Sequence, residues 1–111
     1  MPVQNAGEPF VRLTVQEARE KLDAGELSLV DVREPGEYAT GHLPGATLVP
    51  VNSVPQRKAD LPGDRPILFV CAKGQRSALA AEFAAAMGFK GLYNLEGGTD
   101  AWRDAGLPLE Q

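Results

Sequence analysis

Residues 67–77 read Ile-Leu-Phe-Val-Cys-Ala-Lys-Gly-Gln-Arg-Ser, and this stretch decides the fold. Its first four residues form a continuous apolar run, which is typical of a central strand buried on both faces of a sheet. Residues 77–87 are rich in alanine and carry larger apolar residues at a spacing of four, which predicts a helix. Cys71 is therefore expected in a short loop between a buried strand and a helix.

The same alternation continues on both sides of this stretch. Further strands are predicted at 10–13, 27–32, 46–49 and 92–95, and further helices at 15–23, 36–39, 54–58 and around 101–105. Alternating strands and helices of this size predict an α/β fold, with a parallel sheet and helices on both faces. Sites in such sheets lie beyond the carboxyl ends of the strands, where Cys71 and Asp31 both fall.

Size and composition indicate one folded domain. The chain has 111 residues, of which 43% are hydrophobic and 23% charged, so a soluble globular protein is expected rather than a disordered one. No apolar stretch approaches the roughly 18 residues that a membrane span needs. Residues 1–9 lack the pattern of a signal peptide and are interpreted as a short mobile leader.

The net charge and the cysteine content limit the kinds of partner and the cellular compartment to be expected. The net charge of −4 and the pI near 4.9 argue against nucleic acid, whereas Lys73 and Arg76 form a basic patch that could attract a small anion. A lone cysteine cannot form an internal disulfide, which favours a reducing compartment, most simply the cytoplasm. One cysteine and one histidine make no metal-site pattern, and no cofactor is expected.

Cys71 itself has two interpretations. A thiol in a loop that leads into a helix faces amide N–H groups and the positive end of the helix dipole, which favour the nucleophilic thiolate. The alternative is a structural thiol buried in the core, as free cysteines often are. The polar loop that follows Cys71 favours the nucleophile.

The residues after Cys71 form a candidate binding loop for an anionic substrate. These residues are Ala72, Lys73, Gly74, Gln75, Arg76 and Ser77. Amides between Ala72 and Ser77 are expected to point toward the sulfur, and Gly74 would let the backbone curl. Lys73 and Arg76 could bind the donor or simply face solvent. Ser77 is predicted to be the N-cap of the helix, with a possible second role as a donor to the sulfur.

Asp31 and Arg33 end a strand beside this loop. The simpler interpretation of the two residues is a salt bridge or a cap that holds the following segment. Asp31 is also a candidate acceptor that orients the binding loop from behind.

Several motifs together resemble the single-domain rhodaneses. They are Asp31-Val32-Arg33, Glu37-Tyr38, Gly41-His42-Leu43-Pro44-Gly45-Ala46, the stretch from Cys71 to Ser77, Leu95-Glu96-Gly97-Gly98 and Trp102. The resemblance covers residues 10–108, which we interpret as the domain. It implies a rhodanese-like fold with a central, mostly parallel five-stranded sheet, and a loop over residues 71–76 whose amides cradle a persulfide on Cys71.

The resemblance also implies a thiosulfate sulfurtransferase-like enzyme. Such an enzyme moves a sulfane sulfur from thiosulfate or a persulfide donor, through a Cys71 persulfide, to a thiol or cyanide. The expected partners are a small anionic sulfur donor and a thiol-bearing small molecule or protein as acceptor. Because the chain has no second cysteine, the sulfur must leave to an external acceptor.

Two alternatives stay open at this point. Cysteine-dependent phosphatases and arsenate reductases also place a cysteine before an arginine in an anion-binding loop. Four residues separate Cys71 from Arg76, whereas similar phosphatases carry five, so the tighter loop favours sulfur over phosphate. The other alternative is a regulatory rhodanese-like module without catalysis, which the intact cysteine loop disfavours.

Overall fold

Strands and helices alternate along the chain, as the sequence predicts. The structure is a computed structural model and describes residues 2–111. The strands are β1 (Val11–Leu13), β2 (Ser28–Asp31), β3 (Thr47–Leu48), β4 (Ile67–Val70) and β5 (Leu92–Leu95). The helices are α1 (Val15–Asp23), α2 (Pro35–Thr40), α3 (Gln75–Ala86) and α4 (Gly98–Asp104).

The five strands form one sheet in the order β1-β5-β4-β2-β3. Every neighbouring pair is parallel. The prediction of a mostly parallel five-stranded sheet is therefore confirmed, and the sheet is parallel throughout. The apolar strand β4 lies at the centre, and all four of its residues are buried. Its carboxyl end is therefore flanked by the carboxyl ends of β2 and β5.

Side chains of β4 alternate between two cores, one on each face of the sheet. Ile67 and Phe69 pack in the core that α3 covers with its buried alanines. Leu68 and Val70 pack in the core that contains Ala18 of α1 and Trp102 of α4. Helices therefore cover both faces, which confirms the predicted α/β architecture.

The segment between β3 and β4 differs from its prediction. A helix was expected over 54–58, but the structure has two short 3₁₀ turns, Val51–Ser53 and Lys58–Asp60. Pro55 has no N–H to donate and blocks a continuous helix at this point. Val51 and Val54 are buried against the sheet, so packing rather than helical hydrogen bonding holds the segment.

The N-terminal segment contacts β1 at Arg12, which forms a salt bridge with Glu8. Val3 forms an antiparallel bridge with Arg12 of β1. The expectation that residues 1–9 are a mobile leader stays a prediction, and Met1 lies outside the described residues. Across residues 2–111 no helix combines the length and the apolar character that crossing a membrane requires.

Candidate active site

Cys71 directly follows β4 and lies at the carboxyl edge of the sheet. The residue exposes only 1% of its surface, yet its sulfur has polar neighbours. The backbone N–H of Gly74 donates to Sγ over 3.0 Å, and Oγ of Ser77 lies 3.3 Å from Sγ. The sulfur is thus buried among hydrogen-bond donors.

These donors shift the ionisation of the thiol. Burial is the largest influence on the pKa of Cys71 and raises it. The Ser77 hydroxyl and the N–H groups of Ser77, Gly74 and Lys73 act in the opposite direction and together outweigh burial. The pKa of Cys71 is therefore below its ordinary value, which favours a reactive thiolate.

The N-terminus of α4 holds the loop in the shape that turns its amides toward the sulfur. Thr99 donates its N–H to the carbonyl of Cys71 over 2.8 Å, and Asp100 donates to the carbonyl of Ala72 over 3.0 Å. Because the loop carbonyls bind α4, the following amides are free to face Sγ. A Cβ on Gly98 would lie 2.3 Å from the Cys71 carbonyl oxygen, so this contact requires glycine.

The start of α3 differs from its prediction. Ser77 was expected to be the N-cap, but α3 begins at Gln75 and the N-cap is Gly74. Gly74 adopts φ 108°, a left-handed conformation that suits glycine and lets the chain enter the helix earlier. Ser77 consequently lies inside the first turn, fully buried, with its hydroxyl toward the sulfur.

Asn94 of β5 is a functional candidate that the sequence analysis missed. Its Oδ1 lies 2.5 Å from the Ser77 hydroxyl, and its Nδ2 donates to the carbonyl of Gly74 over 3.1 Å. The Ser77 hydroxyl has one hydrogen, so it donates either to Asn94 or to the sulfur. The available signal was a polar asparagine within the otherwise hydrophobic strand Leu92–Leu95.

Arg76 faces both the sulfur and a second helix. Its Nη1 and Nη2 donate to the two carboxylate oxygens of Glu37 on α2, over 2.8 and 2.9 Å. The pKa of Arg76 is raised, mainly by Glu37 and to a smaller extent by the Cys71 thiolate. Arg76 in turn lowers the pKa of Glu37 to about 2, so both groups are charged at neutral pH.

The other candidate loop residues differ in their exposure. Lys73 is exposed, and within residues 2–111 its ammonium has no hydrogen bond or ion pair. Gln75 is also exposed, while Ala72 is half-buried. The loop therefore carries one unpaired cation, Lys73, and one paired cation, Arg76.

Asp31 and Arg33 bind each other rather than the cysteine loop. Nη2 of Arg33 donates to Asp31 over 2.9 Å and to the carbonyl of Gly41 over 2.7 Å. Both side chains are buried. This arrangement matches the salt-bridge interpretation, and it anchors the end of α2, the helix that carries Glu37.

Comparisons with known proteins match this geometry. The family model for the rhodanese-like domain matches residues 14–105. A protein of Allochromatium vinosum named sulfurtransferase is 37% identical over 78% of this chain and 81% of its own. The thiosulfate sulfurtransferase GlpE of Pseudoalteromonas translucida is 30% identical over 86% of this chain and 91% of its own.

A solved structure from Rhodopseudomonas palustris is also similar. It aligns with a TM-score of 0.78 and 34% identity over 89% of this chain and 83% of its own. That protein is described as one of unknown function and a possible tyrosine phosphatase. The comparisons thus support a sulfurtransferase class and also include one phosphatase-like description.

Proposed function

Because this chain belongs to the family of rhodanese-like domains, we propose that it is a sulfurtransferase that carries a sulfane sulfur as a persulfide on Cys71. The general class agrees with the names of its relatives. Thiosulfate or a persulfide would be the donor, and a thiol or cyanide the acceptor. The acceptor would be an external molecule, because Cys71 is the only cysteine in the chain.

In the first half-reaction the Cys71 thiolate attacks the outer sulfur of thiosulfate. A new S–S bond forms on Cys71 while the bond to the sulfonate sulfur breaks, and sulfite leaves with that electron pair. In the second half-reaction an acceptor thiolate or cyanide attacks the terminal sulfur and restores the Cys71 thiolate. The charges balance in both steps, and no outside oxidant or reductant is needed.

The observation that carries this proposal is the set of donors around the buried sulfur. The amide of Gly74 and the hydroxyl of Ser77 are already placed at Sγ, so they stabilise an anion there without reorganisation. A persulfide anion extends the negative charge by one atom beyond Sγ, so the loop amides that face Sγ would stabilise it as well. Arg76 and Lys73 would then bind the anionic end of the donor.

A phosphatase is the second candidate, because the Rhodopseudomonas palustris structure is described as a possible one. Two features argue against it in this chain. Cys71 is 1% exposed, and only four residues separate it from Arg76, so there is little room for a tetrahedral phosphate on the sulfur. Substantial turnover of p-nitrophenyl phosphate by the purified protein would reverse this preference.

The decisive experiment is mass spectrometry of the protein after incubation with thiosulfate. We expect a gain of one sulfur atom on wild-type Cys71, and loss of that gain after treatment with cyanide. The variant Cys71→Ala should gain no sulfur and should not transfer sulfur to cyanide, while its thermal midpoint stays close to that of the wild type. Sulfur transfer by Cys71→Ala would refute the assignment.

The remaining alternative is a regulatory module without catalysis, acting in the cytoplasm through protein contacts. The same experiment separates it from an enzyme. A wild-type protein that gains no sulfur from thiosulfate or from glutathione persulfide would favour the regulatory role. Loading of Cys71 by either donor would favour the enzyme.

A further inference from the structure

The ion pair between Glu37 and Arg76 changes the charge that a donor meets. Both guanidinium nitrogens that face Glu37 bind its carboxylate, over 2.8 and 2.9 Å. This fork is the geometry that a sulfonate or other oxyanion would otherwise occupy. An incoming donor must therefore share Arg76 with Glu37 or displace it.

Glu37 is held in this position from its own side. The backbone N–H of Glu34 donates to Oε1 of Glu37 over 3.0 Å at the start of α2. The buried Arg33 anchors the other end of α2 through the carbonyl of Gly41. The Glu37 carboxylate is thus part of a fixed helix end. Displacing it would break its hydrogen bonds to Arg76 and to the N–H of Glu34.

The side chains of Glu37 and of the cysteine loop together leave one unpaired cation. Glu37 and Arg76 cancel each other, and Lys73 is the cation of the loop that has no ionic partner within residues 2–111. One unpaired cation suits a monoanion better than a dianion. Two free cations would favour thiosulfate, which carries two negative charges at neutral pH.

We propose that Glu37 sets the donor preference of this site by screening Arg76, so that monoanionic sulfane-sulfur donors are favoured over dianionic ones. The inference rests on the proposed sulfur transfer and specifies its donor class. Thiosulfonates (RSO₂–S⁻) and persulfides of small thiols have a single charge on the reacting group. Their transfer to Cys71 balances as thiosulfate transfer does, with a sulfinate or a thiolate as the leaving group.

The proposal has a quantitative signature, because an electrostatic energy scales with the charge of the donor. Removing the charge of Glu37 should change the logarithm of kcat/KM about twice as much for a dianion as for a monoanion. A purely structural role of Glu37 would instead change kcat/KM for both donors by the same factor.

The test compares thiosulfate with benzenethiosulfonate as donors and cyanide as acceptor. In Glu37→Gln the side-chain oxygen can still accept from Glu34, and one bond to Arg76 can persist. We expect kcat/KM to rise about 5- to 10-fold for thiosulfate and about 2- to 3-fold for benzenethiosulfonate. The thiosulfate rate should also become more sensitive to added salt, because the site gains net positive charge.

Two further variants serve as controls. Glu20→Gln removes the same charge from an exposed position on α1 and should leave both rates unchanged. Glu37→Asp retains the charge and should retain the donor preference, even if the shorter side chain lowers both rates. Thermal midpoints of all variants show whether each one is folded.

The outcomes separate this inference from the proposed function. If wild type transfers sulfur from neither donor nor from glutathione persulfide, the proposed function fails and this inference fails with it. If wild type transfers sulfur but Glu37→Gln changes both donors equally, or lowers the thiosulfate rate, the screening role is wrong while the sulfurtransferase remains. A greater gain for thiosulfate, absent in Glu37→Asp, supports it.

Discussion

The reactivity of Cys71 depends on a competition between burial and hydrogen bonding. With 1% of its surface exposed, the thiol would ordinarily stay protonated, because a buried anion is costly. The Ser77 hydroxyl and the loop amides reverse that outcome and lower the pKa. A single donor removed from this set should therefore have a measurable effect on the thiolate.

The variant Ser77→Ala removes the hydroxyl that lies 3.3 Å from the sulfur. The thiolate loses one donor while burial still disfavours it, so the pKa of Cys71 should rise. The pH dependence of iodoacetamide alkylation of Cys71 measures this shift. Its midpoint should move to higher pH, and alkylation at neutral pH should become slower.

Ser53→Ala is a matched control for that experiment, since Ser53 belongs to the 3₁₀ turn Val51–Ser53 and not to the cysteine loop. Its alkylation midpoint should equal that of the wild type. If Ser77→Ala also leaves the midpoint in place, the hydroxyl donates to Asn94 in the thiolate state as well, and the loop amides alone lower the pKa.

Among the elements, α4 determines the shape of the cysteine loop. Its first amides bind the carbonyls of Cys71 and Ala72, and Gly98 allows the two backbones to approach. The role of α4 is thus indirect: it holds the carbonyls on one side so that the amides lie on the other. This arrangement predicts that a single methyl group added at Gly98 disrupts the cysteine loop.

The variant Gly98→Ala introduces that methyl group. Its Cβ would lie 2.3 Å from the Cys71 carbonyl oxygen, and φ at this position is +59°, which side chains disfavour. We expect a loss of about 1 to 3 kcal/mol in the free energy of unfolding, by analogy with overpacked cores. The alkylation midpoint of Cys71 should also move to higher pH, because the loop amides turn away.

Gly36→Ala is the control for this change, because a Cβ there meets nothing within 4 Å. Its free energy of unfolding, measured by urea denaturation, should be unchanged or slightly higher, since alanine suits a helix better than glycine. Equal stability of Gly98→Ala and the wild type would show that α4 and the loop can separate without cost.

At the scale of the whole molecule, the strand order assembles the site. β4 lies between β2 and β5. Its carboxyl end is therefore close to the segment that follows β2 and to residues of β5 itself. The segment after β2 leads to α2 and Glu37, and β5 contributes Asn94. The sheet that brings these groups together depends on the apolar side chains of β4.

The variant Phe69→Ala tests this dependence. Phe69 is fully buried in the core that α3 covers, so its removal should lower the free energy of unfolding by about 3 to 5 kcal/mol. Urea denaturation monitored by circular dichroism measures the loss. Leu79→Ala, at a residue 42% exposed on α3, should cost far less. Similar losses for the two variants would contradict the central position of β4.

Much of the fold was determined by local sequence. The apolar run of β4, the capping pair Thr14 and Glu17 at the start of α1, and Pro35 in the first turn of α2 all act within a few residues. Hydrophobic patterns of similarly short range therefore predicted the strands, the helices and the parallel α/β class. The position of Cys71 at the carboxyl end of a central strand followed from the same short-range pattern.

Tertiary structure alone decided which groups surround the sulfur. Glu37 lies 39 residues before its partner Arg76, and Asn94 lies 17 residues after Ser77, so no local pattern relates them. Ser77 was mistaken for an N-cap because the left-handed turn at Gly74, which fits beside the carbonyl of Leu95, starts the helix earlier. The sequence singled out Cys71 as the candidate nucleophile, whereas long-range packing of α2, β5 and α4 determined its charge environment.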